Sequence, residues 1–164
     1  MPGCVLNPQV GFWGKLPTRG DFVGRGLPDG FRRQWDGWAA AHLARRGDWP
    51  SGGLRLRIQG RARAAAGLVL PSTDAVGRRF PLGLFLLADD LPGPQGLEPW
   101  CEAALAIAAE PDPEALARAL QDLPLPECPV EDGPPLLLWQ RALDPLVADP
   151  AAPEPVLAAI FSSG

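Results

Sequence analysis

Residues 11–31, GFWGKLPTRGDFVGRGLPDGF, combine glycines, a lysine, arginines and aspartates in one short segment. A glycine followed by lysine is typical of loops that bind phosphate groups. Such a loop needs four residues between its glycines and a Ser or Thr after the lysine. Here two residues separate Gly11 from Gly14, and Leu16 follows Lys15. The segment therefore disfavours a phosphate site, and a small enzyme or nucleotide-binding domain that uses the glycine-rich loop 11–30 is kept as the alternative hypothesis.

Other residues that could do chemistry do not form a recognisable catalytic or metal-binding pattern. The single histidine, His42, lies among aromatic residues on one face of a predicted helix, which indicates a buried core histidine. Ser72 is not framed by G-x-S-x-G, and no second histidine can serve as its base. We interpret Ser72 or Asp74 as the cap of a helical turn. The sequence therefore predicts a protein that is not an enzyme and that has no cofactor and no metal site.

Composition limits the class of protein and its location. A chain of 164 residues, 46% of them hydrophobic, can bury a core, and we expect one domain over 1–164. Cys4, Cys101 and Cys128 are far apart and odd in number, which favours reduced thiols in a cytoplasm. The longest apolar run, 80–88, is far short of the roughly 20 residues that span a membrane. We expect a cytoplasmic protein with no membrane insertion.

Charge is divided unevenly along the chain. Residues 1–88 carry 13 Lys and Arg against 5 Asp and Glu, whereas residues 89–164 carry 2 against 14. One interpretation is that the two halves fold together and neutralise each other, and the other is a basic face for an acidic partner. Nucleic acid is disfavoured because the basic residues occur singly or in pairs and no recognition motif accompanies them.

Apolar spacing predicts the element order β-α-β-β-β-α-α-β-α. Phe31, Trp35, Trp38 and His42 follow one another at spacings of 4, 3 and 4, which predicts a helix whose aromatic face packs against a sheet. Pro28 and Asp29 mark its start, and Gly47 marks its end. The other predicted helices are 97–109, a helix that starts at 112–114, and a short terminal one.

The predicted strands are 9–14, 54–60, 64–72, 80–90 and 136–139. LRLRIQG alternates apolar and basic residues, so we expect one face of that strand to be exposed to solvent. Three consecutive strands indicate an antiparallel portion. The fold class is therefore α/β (α+β), with a central, largely antiparallel or mixed sheet covered by helices on both faces. The order is similar to that of longin or profilin-like domains, as an analogy of topology only.

Two segments carry a family resemblance: GFWGKLPTRGDFVGRGLPDGFRRQWDGW at 11–38 and LPSTDAVGRRFPLGLF at 70–85. They resemble the two signature blocks of the TagF/ImpM family, accessory proteins of bacterial type VI secretion systems. The matching positions of the first block are Gly14, Lys15, Leu16, Pro17, Arg19, Gly20, Asp21, Phe22, Leu27, Pro28, Trp35, Asp36 and Trp38. Those of the second block are Pro71, Ser72, Asp74, Gly77, Arg78, Phe80, Pro81 and Leu82.

The resemblance implies a cytoplasmic, non-enzymatic accessory protein that represses type VI secretion after translation, through protein–protein contact. In some bacteria such proteins work through the forkhead-associated scaffold protein of the system. The link between the first helix and the strand at 54 is shorter than the family pattern, and so is the C-terminal third.

Charged residues on the two blocks are the candidate partner-binding or signature residues. They are Lys15, Arg19, Asp21 and Arg25 on the first block, and Asp74, Arg78 and Arg79 on the second. We expect the blocks to meet at one end of the sheet, with Asp21 or Asp74 held by an arginine of the other block, either Arg78 or Arg19. Lys15, Arg25 and Arg79 are then predicted to form a basic patch for a partner.

Overall fold

The computed structural model describes residues 5–127 and 129–162 of the chain, so the prediction for Cys4 and Cys128 lies outside the described residues. Within that part the chain forms seven strands and four helices. The strands are β1 (Gln9–Gly14), β2 (Val23–Arg25), β3 (Leu54–Gln59), β4 (Ala64–Leu70), β5 (Leu82–Ala88), β6 (Leu136–Gln140) and β7 (Leu146–Val147). The helices are α1 (Asp29–His42), α2 (Pro94–Ile107), α3 (Pro113–Gln121) and α4 (Glu154–Ser162).

All seven strands belong to one sheet with the order β2-β1-β5-β4-β3-β6-β7. Every neighbouring pair is antiparallel, which confirms the predicted fold class. The sequence did not predict the two edge strands, because β2 and β7 have only three and two residues. Within the described residues, no helix combines the length and the apolar character that a membrane crossing requires.

Helices cover both faces of the sheet, as predicted. On one face α2 and α3 bury a core that contains Phe12, Leu84 and Trp100. On the other face α1 and α4 bury a second core around Trp35 and Phe85. The sheet therefore forms the middle layer of three, and its two ends are left to the connecting loops.

The aromatic face of α1 packs against β5, as its spacing predicts. Trp35 is 3% exposed and meets the ring of Phe85 edge-on, with 4.8 Å between ring centroids. Trp38 is only partly buried, and its indole N–H donates to the carbonyl of Pro150 at 2.9 Å. The prediction that His42 is buried in the core is wrong. His42 is the last residue of α1 and is only partly buried, and its Nδ1 lies 2.9 Å from the Glu154 carboxylate.

The predicted solvent-exposed face of β3 is also wrong. Arg55 and Arg57 are 0% and 1% exposed, because α2 and the residues that precede it lie over that face. Arg55 donates to the carboxylates of Glu98 and Glu102, which are one helical turn apart on α2. Arg57 donates to three backbone carbonyls, those of Leu91, Pro92 and Glu131. Every nitrogen of each buried guanidinium thus donates at least one hydrogen bond, as a buried charge requires.

Ion pairs join the basic first half of the chain to the acidic second half. They include Arg25–Glu114, Arg46–Glu154, Arg55–Glu98, Arg55–Glu102 and Arg63–Asp89. These contacts support the interpretation that the two halves neutralise each other within the fold.

Candidate functional site

The two signature blocks meet at one end of the sheet, as predicted. Strands β1 and β5 are antiparallel neighbours, so the turn after β1 and the loop before β5 lie at the same end. We call the residues that join them the signature cluster. Its members are Lys15, Phe22, Ser72, Asp74 and Arg78.

The carboxylate of Asp74 is the centre of the signature cluster, and its side chain is completely shielded from solvent. Its Oδ2 accepts from Lys15 Nζ at 3.0 Å and from Arg78 Nε at 2.7 Å. Its Oδ1 accepts from the backbone N–H groups of Val76 and Arg78, at 3.0 and 2.9 Å. Burial alone would raise the pKa of Asp74. The hydrogen bonds from the Arg78 backbone, Lys15, the Arg78 side chain and Val76 instead hold this pKa well below its ordinary value.

Hydrogen bonds from side chains of the second block to backbone carbonyls of the first connect the two blocks directly. The Ser72 hydroxyl donates to the carbonyl of Lys15 at 2.6 Å, and Arg78 Nη2 donates to the carbonyl of Gly20 at 2.7 Å. Gly14 has φ +151°, and a Cβ there would lie 2.3 Å from the carbonyl oxygen of Pro81. Only glycine fits this contact between the blocks. The two loops therefore form one interlocked unit.

Aromatic rings cover one side of the signature cluster. Phe22 stacks on Trp13 with 5.5 Å between ring centroids and meets Phe80 edge-on at 4.9 Å. Lys15 Nζ lies 4.9 Å from the centroid of the Phe22 ring, a cation–π distance. Trp13 in turn donates its indole N–H to Asp36 on α1 at 2.9 Å. The sheet end, both loops and α1 are thereby linked through side chains of the two blocks.

Comparison with known proteins decides the family. The family described as "TagF N-terminal domain, Type VI secretion system-associated" matches residues 11–49. The solved structure of PA0076 from Pseudomonas aeruginosa PAO1 is 34% identical, with a TM-score of 0.58, and the match covers 94% of this chain and 77% of that one. The chain belongs to the TagF family. No curated protein matches it significantly. Membership makes this a type VI secretion-associated protein.

The structure corrects the predicted pairing within the TagF blocks. Within the described residues, no arginine of the other block holds Asp74. The contact across the blocks comes from Lys15, and Arg78 belongs to the same block as Asp74. The sequence prediction favoured arginine because it can bind a carboxylate through two parallel hydrogen bonds. Asp21 makes a local contact instead, since its Oδ1 accepts from the N–H of Phe22 at 2.7 Å.

Two of the three residues predicted to form a basic patch are engaged within the protein. Lys15 is 8% exposed and pairs with Asp74. Arg25 donates from Nε to Glu114 of α3 at 2.6 Å. Arg79 is exposed, as is Arg19 on the other block, and neither side chain has an ion-pair or hydrogen-bond partner within the described part of the chain.

Exposed apolar groups lie on the same two blocks as these arginines. Val76 is 72% exposed at the tip of the second block, and Phe22 is 38% exposed on the first. The backbone N–H of Ala75 donates to the carbonyl of Arg19 at 2.7 Å, which holds the two exposed edges side by side. We call Arg19, Phe22, Val76 and Arg79 the signature surface.

This TagF site has the properties of a protein-binding surface. The ammonium of Lys15, the one lysine of the chain, is paired with the buried Asp74 carboxylate and does not face an open phosphate site. Over residues 5–127 and 129–162, no group of three or more His, Cys, Asp or Glu is placed to hold a metal ion.

Acid should weaken the protein partly through Asp74. Because the pKa of this carboxyl is lower in the folded state, the unfolded chain takes up the proton first, and stability falls as the pH drops below about 4. We expect Asp74→Asn to melt below the parent protein at pH 7 and to lose less on acidification, so that the two curves converge. Melting temperatures from pH 7 to pH 3 measure this.

A second acidic group serves as the internal reference in that experiment. Hydrogen bonds from Arg141 and then Arg55 lower the pKa of Glu102 to about 2. Glu102 is unchanged in Asp74→Asn, so its contribution cancels in the difference between the two proteins. Parallel melting curves would contradict the role assigned to Asp74.

Proposed function

We propose that this TagF-family protein is a cytoplasmic negative regulator of a type VI secretion system that acts after translation by binding another component of the system. It is a binding protein and not an enzyme. One observation carries the proposal: the two family blocks interlock around a shielded ion pair and leave Arg19, Val76 and Arg79 exposed on a fixed framework.

The buried ion pair supports this proposal because it is costly to form. Removing charges from water costs several kcal/mol per ion, and attraction between the two ions offsets this cost only when their geometry is excellent. A buried ion pair is therefore weak evidence for a purely stabilising role. Here the pair fixes the positions of two surface loops. A loop that is ordered before binding loses less conformational entropy when a partner docks. Arginine and large apolar side chains are also the groups that dominate binding energy at protein interfaces.

Arg19 and Arg79 favour a partner with an acidic surface, since like charges would repel and opposite charges would attract. The forkhead-associated scaffold protein of the secretion system, which the family resemblance implies as partner in some bacteria, is the first candidate to test.

Secretion assays test the proposed regulation. We expect deletion of the protein to raise secretion activity, and overproduction to lower it while transcript levels of the system stay constant. Secreted substrate in culture medium and transcript abundance are the two measurements. If the deletion abolished secretion instead, the protein would be a structural component and the proposed repression would be wrong.

Charge reversal tests the signature surface itself. We expect Arg19→Glu combined with Arg79→Glu to lose most of the repression by overproduced protein, with an unchanged melting temperature, because neither side chain has a partner within the described chain. Arg33→Glu combined with Arg45→Glu is the matched control, since both arginines are exposed on or just after α1. Equal repression by the two double variants would place the contact elsewhere.

A titration separates this proposal from the alternative of a nucleotide-binding domain. Because Lys15 is committed to Asp74, we expect isothermal titration with ATP or GTP to show no binding. Saturable binding that Lys15→Met removes would favour the nucleotide alternative.

A further inference from the structure

A second surface lies at the edge of the sheet away from β1 and β2, between α2 and the hairpin of β6 and β7. Here a groove of about 730 Å³ is lined by the first turns of α2, by Glu127 and Glu131, and by the hairpin residues 142–145. Trp139 of β6 also lines it, and its indole N–H is fixed by Glu98 at 2.7 Å. We call this feature the α2 groove.

The hairpin beside the α2 groove exposes large apolar side chains. Leu143 is 57% exposed and Val147 is 65% exposed. Val147 pairs with Leu137, and both belong to the face of the sheet on which α2 lies. Neither α2 nor α3 extends over this outer part of the sheet, so the apolar groups there are open to a partner.

Backbone groups of the outermost strand are also free. The N–H of Ala148 donates to the carbonyl of Leu136 at 3.0 Å. Hydrogen-bonded and non-hydrogen-bonded pairs alternate along antiparallel strands, so Leu137 and Val147 form a non-hydrogen-bonded pair. The N–H and C=O of Val147 therefore point away from β6, at the open edge of the sheet.

The rim of the α2 groove is acidic. Glu127, Glu131 and Asp144 are exposed, and within the described residues none of their carboxylates has an ion-pair partner. Elsewhere, carboxylates of the second half such as Glu102 and Glu114 are paired with arginines. Three carboxylates that lack such a partner thus lie beside the exposed apolar hairpin.

We propose that the α2 groove is a second protein-binding surface, which takes a segment with apolar side chains flanked by arginine or lysine. Its apolar side chains cover Leu143 and Val147, and its cations lie against Glu127, Glu131 and Asp144. Acidic phospholipid surfaces and nucleic acids carry the wrong charge for this rim. The surface is separate from the signature surface, so this inference does not rest on the proposed regulation of secretion.

Peptide binding tests the proposal. The probe is a fluorescently labelled, 14-residue amphipathic peptide with leucine on one face and lysine on the other, and its counterpart carries glutamate in place of lysine. We expect saturable binding of the lysine peptide in an anisotropy titration, weakening as salt is raised. The glutamate peptide should not bind.

Variants locate the binding site. We expect at least a tenfold loss of affinity for Val147→Asp and for Glu131→Lys. The matched controls, expected to bind as the parent does, are Val76→Asp on the signature surface and Asp122→Lys, an exposed carboxylate at the end of α3. Melting temperatures of all four variants show that each is folded.

Three outcomes would overturn the proposal. One is the absence of saturable binding by the lysine peptide. Another is equal loss of affinity in the test and control variants. The third is self-association of the parent protein, in sedimentation, that Val147→Asp abolishes, because the occupant of the groove would then be a second copy of this chain.

Discussion

Replacement of Trp35 by alanine is expected to lower the free energy of unfolding by about 3–5 kcal/mol, the usual cost of removing a buried aromatic side chain. Trp35 is 3% exposed and stands on Phe85 of β5, which also receives the ring of Phe31 at 5.0 Å. Without the indole, a cavity would open at the centre of the contact between α1 and the sheet. Chemical denaturation followed by circular dichroism measures the loss.

Trp38 supplies the control for this prediction. Trp38 belongs to the same predicted aromatic face, but the structure shows that it is partly exposed at the margin of the contact. Trp38→Ala should cost clearly less, chiefly its stacking on Trp35 at 5.6 Å and one hydrogen bond worth about 1 kcal/mol. If both variants lowered the free energy of unfolding equally, Trp35 would not be the centre of the contact between α1 and the sheet.

A close approach of backbone explains why Trp35 and Phe85 can occupy this position. Gly67 of β4 is paired with Phe85, and a Cβ on Gly67 would lie 2.6 Å from the Phe85 ring. A Cβ on Gly83 would lie 2.5 Å from the same ring. The ring thus covers two glycines, which no local pattern in a strand reveals, because the partner of each glycine is decided by register.

The central strands and the helices could be predicted because the spacing of apolar residues is a property of each element by itself. Strand β1 has the predicted bounds, and the helix that starts at Asp112 is capped as expected, with the Asp112 carboxylate accepting from the N–H of Ala115 at 2.9 Å. The edge strands β2 and β7 were missed because strands of two or three residues have no period to detect. They exist only because a long neighbour is present to pair with.

Arg55 and Arg57 show where periodicity misleads. Alternating arginines on a strand usually indicate a solvent-exposed face, but these two arginines lie under the N-terminal half of α2 and the segment before it. A signal was present in the sequence: Glu98 and Glu102 are four residues apart, on one face of α2, where they can receive Arg55. Deciding that this helix covers that strand required long-range information.

The candidate site was predicted in its location but not in its pairing. The two blocks flank neighbouring strands, so their meeting could be inferred from the expected sheet and the family pattern. Which cation reaches Asp74 depends on the turn after β1, where the N–H of Arg19 bonds the carbonyl of Leu16 at 3.1 Å and the chain turns back. That turn directs Lys15 inward and leaves Arg19 exposed.

Replacement of Lys15 by methionine is expected to destabilise the protein several times more than the loss of an exposed ion pair does. Methionine keeps much of the apolar stem but removes the ammonium that lies 3.0 Å from Asp74 Oδ2. A buried carboxylate then loses a charged partner while it stays buried, which is far more costly than the loss of a solvated pair. Denaturant unfolding gives the change in free energy.

Arg25→Met is the matched control, because it removes one arginine from the exposed Arg25–Glu114 pair of the same block and should cost only about 0–1 kcal/mol. A double variant, Lys15→Met with Asp74→Asn, should lose less than the two single variants together, because the ion pair between these two side chains is then lost once and not counted twice.

Hydrogen exchange gives a local reading of the same change. The amides of Val76 and Arg78 donate to Asp74 Oδ1, so they should exchange faster in Lys15→Met while amides of β3 do not. If Lys15→Met cost no more than Arg25→Met and left those amides protected, the second block would be held without Lys15. The signature surface would then need another cause for its fixed shape.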